Sequence, residues 1–419
     1  MMNTSTASGF PEFEPLKERI HQHILSIITD TYNTYGFSKI DTPLVERTDN
    51  LLSKGGDNKE IYALKRVLDD DNDTSHSGMA LRFDHTVPLA LYLSRHQNDI
   101  KYPFLRSSIG PVFRGERAQK GRYRQFTQCD IDVIGYDNLP LAYDSYTIFT
   151  LYKTLKNIDA YYNIGDFTIR VNNRNVYNTL AEHYKIDAMK LIYVIDNCDK
   201  WDDNKRLEAI KELTDNDMYR DEIDVLARTG TLPNIQSSAI TDAYKVIEMA
   251  KNMGVEGIIY DARIARGLDY YTGTVFEFTM NTDVIKGSIC GGGRYDYLGK
   301  LFSGMNLPGV GGSIGITRLL HQLFDNDIID TKQYTNKTLL LVQNDITSAT
   351  NDIINTLKTH YNGYSIVPYY GTTKLSKAFE YAEKQGMQYV CIALEDELKD
   401  GIITIKDMNT REQGRVSIV

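Results

Sequence analysis

The amino-acid sequence predicts an α+β protein: an antiparallel-sheet domain with a helical insertion, followed by a small α/β domain. Three observations lead to this fold class. Strand-like segments in residues 1–325 come as hairpins, a stretch at about 170–255 has a mainly helical pattern, and strands alternate with helices in residues 337–419. Hairpins favour an antiparallel sheet covered by helices, whereas regular alternation favours a more parallel sheet. Residues 326–336 form the predicted linker.

Composition is typical of soluble globular proteins and argues against several other classes. The 419 residues are 42% hydrophobic and 25% charged, and no run of about 18 apolar residues predicts a membrane span. The polar first residues predict no signal peptide. Four widely separated cysteines predict neither disulfides nor a metal site, and they fit a reducing cytoplasm. The net charge of -9 argues against a chain coated by nucleic acid, but a local basic surface would suffice for RNA.

The first domain is predicted to begin with an amphipathic helix and to continue as hairpins. Apolar residues recur at helical spacing over Glu14–Tyr35, and Gly36 ends this helix. An acidic run at 69–73 is the predicted tip of a hairpin. The other predicted elements are strands at 37–43, 80–83, 112–114 and 123–134, a helix at 143–161, helices over most of 185–253, strands at 258–262 and 274–280, a glycine turn at 288–296, and a strand leading into a helix at 310–320.

Beyond the linker, short apolar strands alternate with amphipathic helices. This alternation is typical of a small α/β domain with a largely parallel sheet. The predicted elements are a strand at 338–342, a helix at 349–360, a strand at 365–369, a helix at 375–385 and a strand at 389–393.

Chemically active side chains are densest in residues 113–126. Five cations and one carboxylate stand there between two strand-like stretches. A solvated hairpin is the ordinary interpretation of such a charge run. The following strand, however, places Gln128, Asp130 and Asp132 on one face, because side chains of a strand alternate between its faces. An amide and carboxylates beside arginines suit a ligand that carries an ammonium group and phosphates.

This segment resembles the second signature motif of class II aminoacyl-tRNA synthetases in its histidyl form. The resemblance rests on Phe-Arg-Gly-Glu-Arg at 113–117 and Gly-Arg-Tyr-Arg-Gln-Phe at 121–126. It implies that Arg114 is catalytic and holds the α-phosphate of ATP and the amino-acid carboxylate. It also implies that Glu116 orients the adenine, that Arg122 makes a further phosphate contact, and that the intervening loop reaches toward the tRNA acceptor end.

The string Arg-Gly-Leu-Asp-Tyr-Tyr at 266–271 resembles a motif of histidyl enzymes that other class II members lack. Taken alone, it is an aromatic turn that leads into a strand. The resemblance assigns catalytic Arg266 to the α-phosphate and carboxylate, and Tyr270 and Tyr271 to the histidine pocket. An imidazole needs one acceptor and one group that donates or accepts, and Asp132 with Tyr271 is such a pair.

Two further segments extend the predicted histidine pocket. The glycine-rich residues 288–296 resemble another histidyl motif, which makes Tyr295 a ligand contact, although a tight turn also explains the glycines. Asp84 and Thr86 stand where the family contacts the substrate α-amino group, and Gln128 is also assigned to histidine binding. His85 lies at a variable position of that motif and receives no catalytic role.

The remaining two class II motifs concern ATP and assembly. Residues 309–318 resemble the third motif, in which Arg318 would meet the γ-phosphate of ATP. Thr317 stands where glutamate is usual, which puts an acidic role at that position in doubt. Residues 36–46 resemble the first motif, which lies at the dimer interface of the family. A structural role within a single chain would explain this segment equally well.

The resemblance implies an ATP-dependent ligase that joins L-histidine to the 3′ end of tRNA(His). Histidine and ATP, with Mg²⁺, would form histidyl-adenylate and pyrophosphate, and a tRNA hydroxyl would then release AMP. Residues 337–419 resemble the anticodon-binding domain of related synthetases. A homodimer in the cytoplasm without membrane contact is expected, and no separate metal site is predicted, because His21 and His23 lack a third ligand.

Three other readings stay open at this point. The chain could be an inert paralogue that binds histidine and regulates a phosphoribosyltransferase of histidine biosynthesis. Such paralogues lack the anticodon-binding domain, and their motifs are eroded, unlike those of this chain. A synthetase-like sensor fused to a kinase is disfavoured because the sequence contains no kinase segment, and another class II specificity is disfavoured by the string at 266–271.

Overall fold

A computed structural model describes residues 4–52, 60–66, 78–117, 121–264, 271–282, 285, 287–297, 304–329, 336–371 and 374–418. The chain divides into two compact units. One comprises residues 1–11 and 24–328, and the other comprises residues 12–23 and 329–419. The predicted hairpin tip at 69–73 lies outside the described residues, as does most of the predicted linker.

The first unit is built around an eight-stranded sheet. Its strands are β1 Ser38–Lys39, β4 Phe104–Phe113, β5 Gln125–Ile134, β6 Phe167–Asn173, β7 Ile258–Tyr260, β8 Thr274–Met280, β9 Ser288–Tyr295 and β10 Gly309–Gly315. Their order is β1-β4-β5-β10-β9-β8-β6-β7, and the five inner pairs from β4 to β6 are antiparallel. The predicted antiparallel sheet is therefore confirmed. A separate two-stranded sheet pairs β2 Val45–Arg47 with β3 Met79–Leu81.

The helices surround this sheet and also form a cluster of their own. In chain order they are α1 Pro15–Thr34, α2 Thr48–Leu52, α3 Thr86–Arg95, α4 Ala142–Tyr162, α5 Val176–Tyr184, α6 Ala188–Asn197, a 3-10 turn Cys198–Lys200, α7 Asp203–Leu213, α8 Asp217–Thr229, α9 Ser238–Asn252 and α10 Ile316–Asp325. Helices α5 to α8 enclose a core that includes Tyr177, Leu191 and Leu226. The predicted helical insertion is thus confirmed as a group of helices with a core of its own.

The predicted start of that insertion near residue 170 is wrong. Residues 167–173 form β6, which pairs with β8 and β7 inside the main sheet. The apolar side chains of Phe167, Ile169 and Val171 alternate along this strand and are buried, which is the period-two pattern of a sheet. Helical structure therefore begins at Val176.

The two faces of the main sheet differ in chemistry. On β5, Cys129, Ile131 and Val133 are fully buried and face the helices, where Tyr32 of α1 donates a hydrogen bond to the Cys129 carbonyl at 2.9 Å. Gln128, Asp130 and Asp132 lie on the opposite face. Residues directly opposed on neighbouring strands share a face, so the register of β4, β9 and β10 determines which side chains surround these three.

Residues 288–296, predicted to form a glycine turn, form strand β9 instead. None of Gly291, Gly292 and Gly293 has a positive φ, so a turn conformation is not the reason for glycine. A Cβ atom at Gly292 would collide with the backbone of Gly311 and with the Phe276 ring. The glycines therefore provide space between closely packed strands.

The second unit contains a five-stranded sheet. Its strands are β11 Asn336–Gln343, β12 Ser365–Tyr370, β13 Met387–Ile392, β14 Ile402–Asp407 and β15 Gln413–Ser417, and its helices are α11 Thr350–His360, α12 Leu375–Lys384 and α13 Glu395–Lys399. The predicted alternation of strands and helices is confirmed. The sheet is mixed rather than largely parallel, since β12-β11-β13 are parallel and β14 and β15 are antiparallel.

We expect the variant Gly292→Ala to lower the free energy of unfolding by about 1–3 kcal/mol or more, because the added methyl group has no space between β8 and β10. Gly414→Ala on β15 is the matched control, since nothing lies within 4 Å of a Cβ atom there. Thermal unfolding of both variants checks this. Equal melting temperatures for the two variants would contradict the close packing of β9.

Candidate active site

The centre of the polar sheet face is a buried carboxylate with two partners. Asp132 lies on β5 directly opposite Arg106 of β4. Arg106 Nη2 lies 2.6 Å from Asp132 Oδ2, and the Tyr295 hydroxyl of β9 donates a hydrogen bond to Asp132 Oδ1. All three side chains are buried. The structure thus brings together two predicted histidine-pocket residues, Asp132 and Tyr295, and adds Arg106, which the sequence analysis missed.

Burial and charge act in opposite directions on Asp132. The pKa of the Asp132 carboxyl group is raised to about 6. Burial causes the increase, and Arg106 and the hydrogen bond from Tyr295 offset part of it. The group therefore remains mostly ionised at neutral pH. Burial and the nearby Asp132 charge raise the pKa of Tyr295, which keeps its hydroxyl protonated as a donor. Asp132 is consequently an acceptor whose orientation is fixed from two sides.

Two glycines of β10 leave room for these side chains. Gly311 is opposite Asp132 in the sheet, and a Cβ atom there would collide with Asp132 Oδ1. Gly309 is opposite Tyr295, and a Cβ atom there would collide with the Tyr295 ring. The glycine-rich segment that resembles the third class II motif therefore shapes the pocket beside the carboxylate.

Tyr271 lies next to this group. Its ring borders Gly293 of β9, and the side chain packs with Tyr295 and Leu307 in one hydrophobic cluster. Asp132 and Tyr271, which were predicted to bind the imidazole together, therefore both lie next to Tyr295. Arg266 and Tyr270 lie outside the described residues.

Gln128 occupies the same face of β5, two positions along from Asp130. Its amide Nε2 donates a hydrogen bond to Ser313 Oγ of β10 at 3.1 Å, while Oε1 has no partner among the described residues. Ser313 was missed by the sequence analysis, because its position opposite Asp130 depends on the strand register.

Asp84 and Thr86 lie at the start of α3 and are both buried. Asp84 Oδ1 accepts hydrogen bonds from the backbone N–H groups of Thr86 and Val87, each at 3.0 Å. Asp84 therefore caps the helix in addition to any contact with a ligand. The charge of Asp84 also acts on Asp130 and Asp132, which places it close to the polar sheet face.

His85 has a structural environment. Its ring nitrogens lie 3.1 Å from Ser108 Oγ and 3.2 Å from the Gly110 carbonyl oxygen. Burial, together with Arg82 and Arg106, lowers the pKa of His85 to about 3. The imidazole is therefore neutral at physiological pH and serves to join α3 to β4.

The predicted ATP-binding residues lie around the β4–β5 hairpin and α10. The Arg114 guanidinium lies between the rings of Phe83 and Phe126, at 4.6 Å and 5.1 Å from their centroids. Such stacking holds the guanidinium plane in place. Glu116 and the largely exposed Arg122 form an ion pair with each other.

Arg318 lies in the first turn of α10, and its guanidinium group borders Gly287 and Gly121. Gly121 belongs to the same hairpin as Arg114 and Arg122, so the predicted γ-phosphate contact lies near the hairpin that carries two other predicted phosphate contacts. Arg114 in turn acts electrostatically on Asp130. The buried carboxylates and an arginine-rich region therefore lie near each other.

Comparison with known proteins identifies the family of the chain. Residues 9–319 match the family model of histidyl-tRNA synthetase, and residues 339–419 match that of an anticodon binding domain. The histidine–tRNA ligase of Nostoc sp. (strain PCC 7120) is 37% identical, with 100% of this chain and 96% of the relative covered. The chain belongs to the histidyl-tRNA synthetase family.

Further similar proteins agree with this assignment. The histidine–tRNA ligase of Clostridium tetani is 35% identical and matches over 100% of this chain and 97% of its own length. A crystal structure of histidyl-tRNA synthetase from Nostoc sp. PCC 7120 has a TM-score of 0.81 at 32% identity and covers 100% of this chain and 97% of that one. The predicted family, fold class and enzyme class are thereby confirmed.

Neither a membrane helix nor a metal cluster is found in the described parts of the chain. No helix there is both long and apolar enough to cross a membrane. No group of three or more histidine, cysteine or acidic side chains in those ranges could hold a metal ion. The four cysteines are buried, and none forms a disulfide within the described residues.

Thr317, which departs from the usual glutamate of the third motif, has a structural contact. Its hydroxyl accepts a hydrogen bond from the backbone N–H of Thr127 at 2.8 Å, and the side chain is buried. The bond ties the start of α10 to β5 next to Gln128. The position therefore supports the site through the backbone in this chain.

We expect Thr317→Val to lower the free energy of unfolding by about 0.5–1.5 kcal/mol, because the partly buried hydrogen bond to the Thr127 N–H is lost while side-chain volume is kept. Thr317→Ser retains the hydroxyl and is the matched control. Thermal or urea unfolding measures both. A valine variant as stable as the wild type would show that this hydrogen bond contributes nothing measurable.

Proposed function

We propose that the chain attaches L-histidine to the 3′ end of tRNA(His) by way of histidyl-adenylate, releasing pyrophosphate and AMP. The observation that carries the proposal is the buried group of Asp132, Arg106 and Tyr295 beside Arg114, in a chain of the histidyl-tRNA synthetase family. An oriented carboxylate suits an imidazole N–H, and an arginine suits the carboxylate and phosphate that must react.

In the proposed histidine pocket, Asp132 and Tyr271 bind the two imidazole nitrogens, and Tyr295 holds Asp132 in position. Asp84, Thr86 and Gln128 bind the α-amino group, and the unpartnered Gln128 Oε1 supports this role. Arg266 and Tyr270 complete the pocket by their place in the histidyl motif. A site built on such hydrogen bonds rejects analogues that lack them by about 10⁴-fold or more.

In the proposed ATP site, Arg114 and Arg266 contact the α-phosphate, Glu116 orients the adenine, and Arg122 and Arg318 bind further phosphate oxygens. The ion pair between Glu116 and Arg122 would then open when ATP binds. Mg²⁺ accompanies ATP and offsets its charge, bound mainly by phosphate oxygens and water. The arginines position the reactants and stabilise developing negative charge, so no protein nucleophile is needed.

We also propose the assembly and location of the protein. Residues 337–419 form the anticodon-binding domain, 326–336 the linker, and residues 1–325 the catalytic domain. A homodimer is supported by partly exposed apolar side chains on and beside the β2–β3 sheet, namely Leu44, Val45, Leu52 and Met79. A cytoplasmic location is supported by the four buried cysteines, none of which forms a disulfide within the described residues.

The regulatory alternative is disfavoured by two features. Residues 339–419 match the family model of an anticodon binding domain, which suits a chain that binds tRNA. The arginine predicted to bind phosphate is present as Arg114, and its guanidinium group lies between two aromatic rings.

Histidine-dependent ATP–pyrophosphate exchange tests the function. Among the amino acids we expect exchange with histidine alone, because the pocket presents Asp132 to an imidazole. Arg266→Ala should lose most of this exchange without a change in circular dichroism. Exchange with another amino acid, or none with histidine, would contradict the function, and wild-type exchange by the variant would contradict the role of Arg266.

We expect Asp132→Asn to raise the KM for histidine by about 10- to 100-fold, because a charge-assisted hydrogen bond to the imidazole is lost. The KM for ATP should stay within about twofold, since the phosphate-binding arginines are untouched. Steady-state exchange at varied histidine and ATP separates the two constants. An unchanged histidine KM and kcat would count against the pocket assignment.

A further inference from the structure

The polar sheet face contains buried polar atoms that the fold does not satisfy. Among the described residues, Asp130 Oδ1, Gln128 Oε1 and two nitrogens of Arg106, Nε and Nη1, have no hydrogen-bond partner. Asp130 is only 6% exposed. Each unsatisfied buried polar atom costs about 1–3 kcal/mol, and more when it is charged, so such a cluster calls for an explanation.

We propose that Asp130 is a further substrate-binding residue of the histidine pocket, whose Oδ1 accepts a hydrogen bond from a protonated nitrogen of the amino acid. The proposal rests on the proposed function and adds a residue to which the family motifs give no role, although the sequence places it on the same strand face as Gln128 and Asp132. The donor is a nitrogen-bound proton, on either the α-ammonium group or the imidazole ring.

The position of Asp130 supports a contact with the same ligand as its neighbours. It lies on β5 between Gln128 and Asp132, and all three side chains share one face. It is opposite Ser108 on β4 and Ser313 on β10. Ser108 is bonded to His85, and Ser313 lowers the pKa of Asp130 through a hydrogen bond. Apart from the unpartnered nitrogens of Arg106, a ligand in the pocket is then the remaining source of a donor for Oδ1.

The charges argue against a purely structural role for Asp130. Two buried guanidinium groups, those of Arg82 and Arg106, act on Asp130 electrostatically. The close contact of Arg106 goes to Asp132 at 2.6 Å, and Arg82 donates its hydrogen bonds to backbone carbonyls. The effect of Arg106 on Asp130 is electrostatic, as are those of Arg114 and Asp84, which act in opposite directions. Asp130 therefore adds a negative charge to a pocket whose ion pair is already formed. A cationic or N–H-bearing ligand would compensate it.

The ionised carboxyl group of Asp130 should reduce the stability of the free protein. Burial raises its pKa from 3.8 to about 6, so the folded state binds more protons than the unfolded state between these values. The free energy of unfolding contributed by this group therefore falls as pH rises through that window, and the full cost is present above it. Groups that reduce stability in this way are typical of binding sites.

The test compares wild type with Asp130→Asn at a pH of about 7.5, above the window in which the carboxyl group titrates. We expect the KM for histidine to rise about 10- to 100-fold, the KM for ATP to stay within about twofold, and the melting temperature to stay equal or increase. Asp242→Asn is the matched control, since Asp242 lies on α9 and pairs with exposed Lys245 at 3.1 Å. It should match the wild type in all three measurements.

Two competitive inhibitors identify the donor. Histidinol has an ammonium group and an imidazole, whereas imidazolepropionate has the imidazole without the ammonium group. If Asp130 binds the ammonium group, Asp130→Asn weakens inhibition by histidinol alone. If it binds the imidazole, inhibition by both compounds weakens.

Two kinetic results would overturn the proposal. The first is a wild-type KM for histidine in Asp130→Asn. The second is an equal increase of the KM values for histidine and ATP together with a lower melting temperature, which marks a structural role.

If the wild type shows no histidine-dependent exchange, the proposed function fails, and this is a separate failure. Calorimetric titration of wild type and Asp130→Asn with histidinol then decides the role of Asp130. Equal binding by the two proteins, or no binding by either, would also overturn the proposal.

Discussion

The buried ion pair between Arg106 and Asp132 is the interaction on which the rest of the site depends. Buried ion pairs repay their desolvation only when their geometry is good and their remaining hydrogen bonds are made. Here Tyr295 donates the further bond to Asp132, and the pair lies in register across β4 and β5. The pair fixes the orientation of a charged acceptor. Stability alone does not explain it, because two apolar side chains of similar volume would stabilise the fold at least as well.

The sheet provides this orientation by separating two environments. Cys129, Ile131 and Val133 alternate along β5 with the polar side chains of the strand and contact the helical layer. A slip of β5 by one residue would therefore bury the carboxylates in the core. Gly309 and Gly311 on β10 leave space on the polar face. Backbone register, glycine placement and the ion pair therefore require one another, which explains why a glycine-rich strand lies beside the carboxylate.

Much of this could be predicted from local sequence patterns. The alternation of residues 128–134 predicts both faces of β5, and the charge run at 113–126 predicts the hairpin that carries Arg114. Helix α1 and strand β8 follow the predicted periodicity almost residue for residue. These features depend on neighbours in the chain, so the sequence pattern alone carries the information.

The missed features depend on neighbours in space. Arg106 has no motif around it, and its role follows only from its position opposite Asp132. The glycines of β9 are also compatible with a turn, and only the positions of β8 and β10 on either side show that they lie in a strand. Strand β6 joins the sheet by pairing with β8, which is more than 100 residues away. The contact from Thr317 to the Thr127 N–H likewise joins distant segments. Long-range pairing of this kind is not encoded in local periodicity.

We propose that the polar face of the sheet recognises an imidazole through Asp132, and a crystal structure of the protein with bound histidine would test this. We expect an imidazole nitrogen within about 3.2 Å of an Asp132 carboxylate oxygen, with Tyr271 near the second ring nitrogen and the amino-acid carboxylate toward Arg114. Histidine bound elsewhere, or bound here with its imidazole directed away from Asp132, would contradict this role of Asp132.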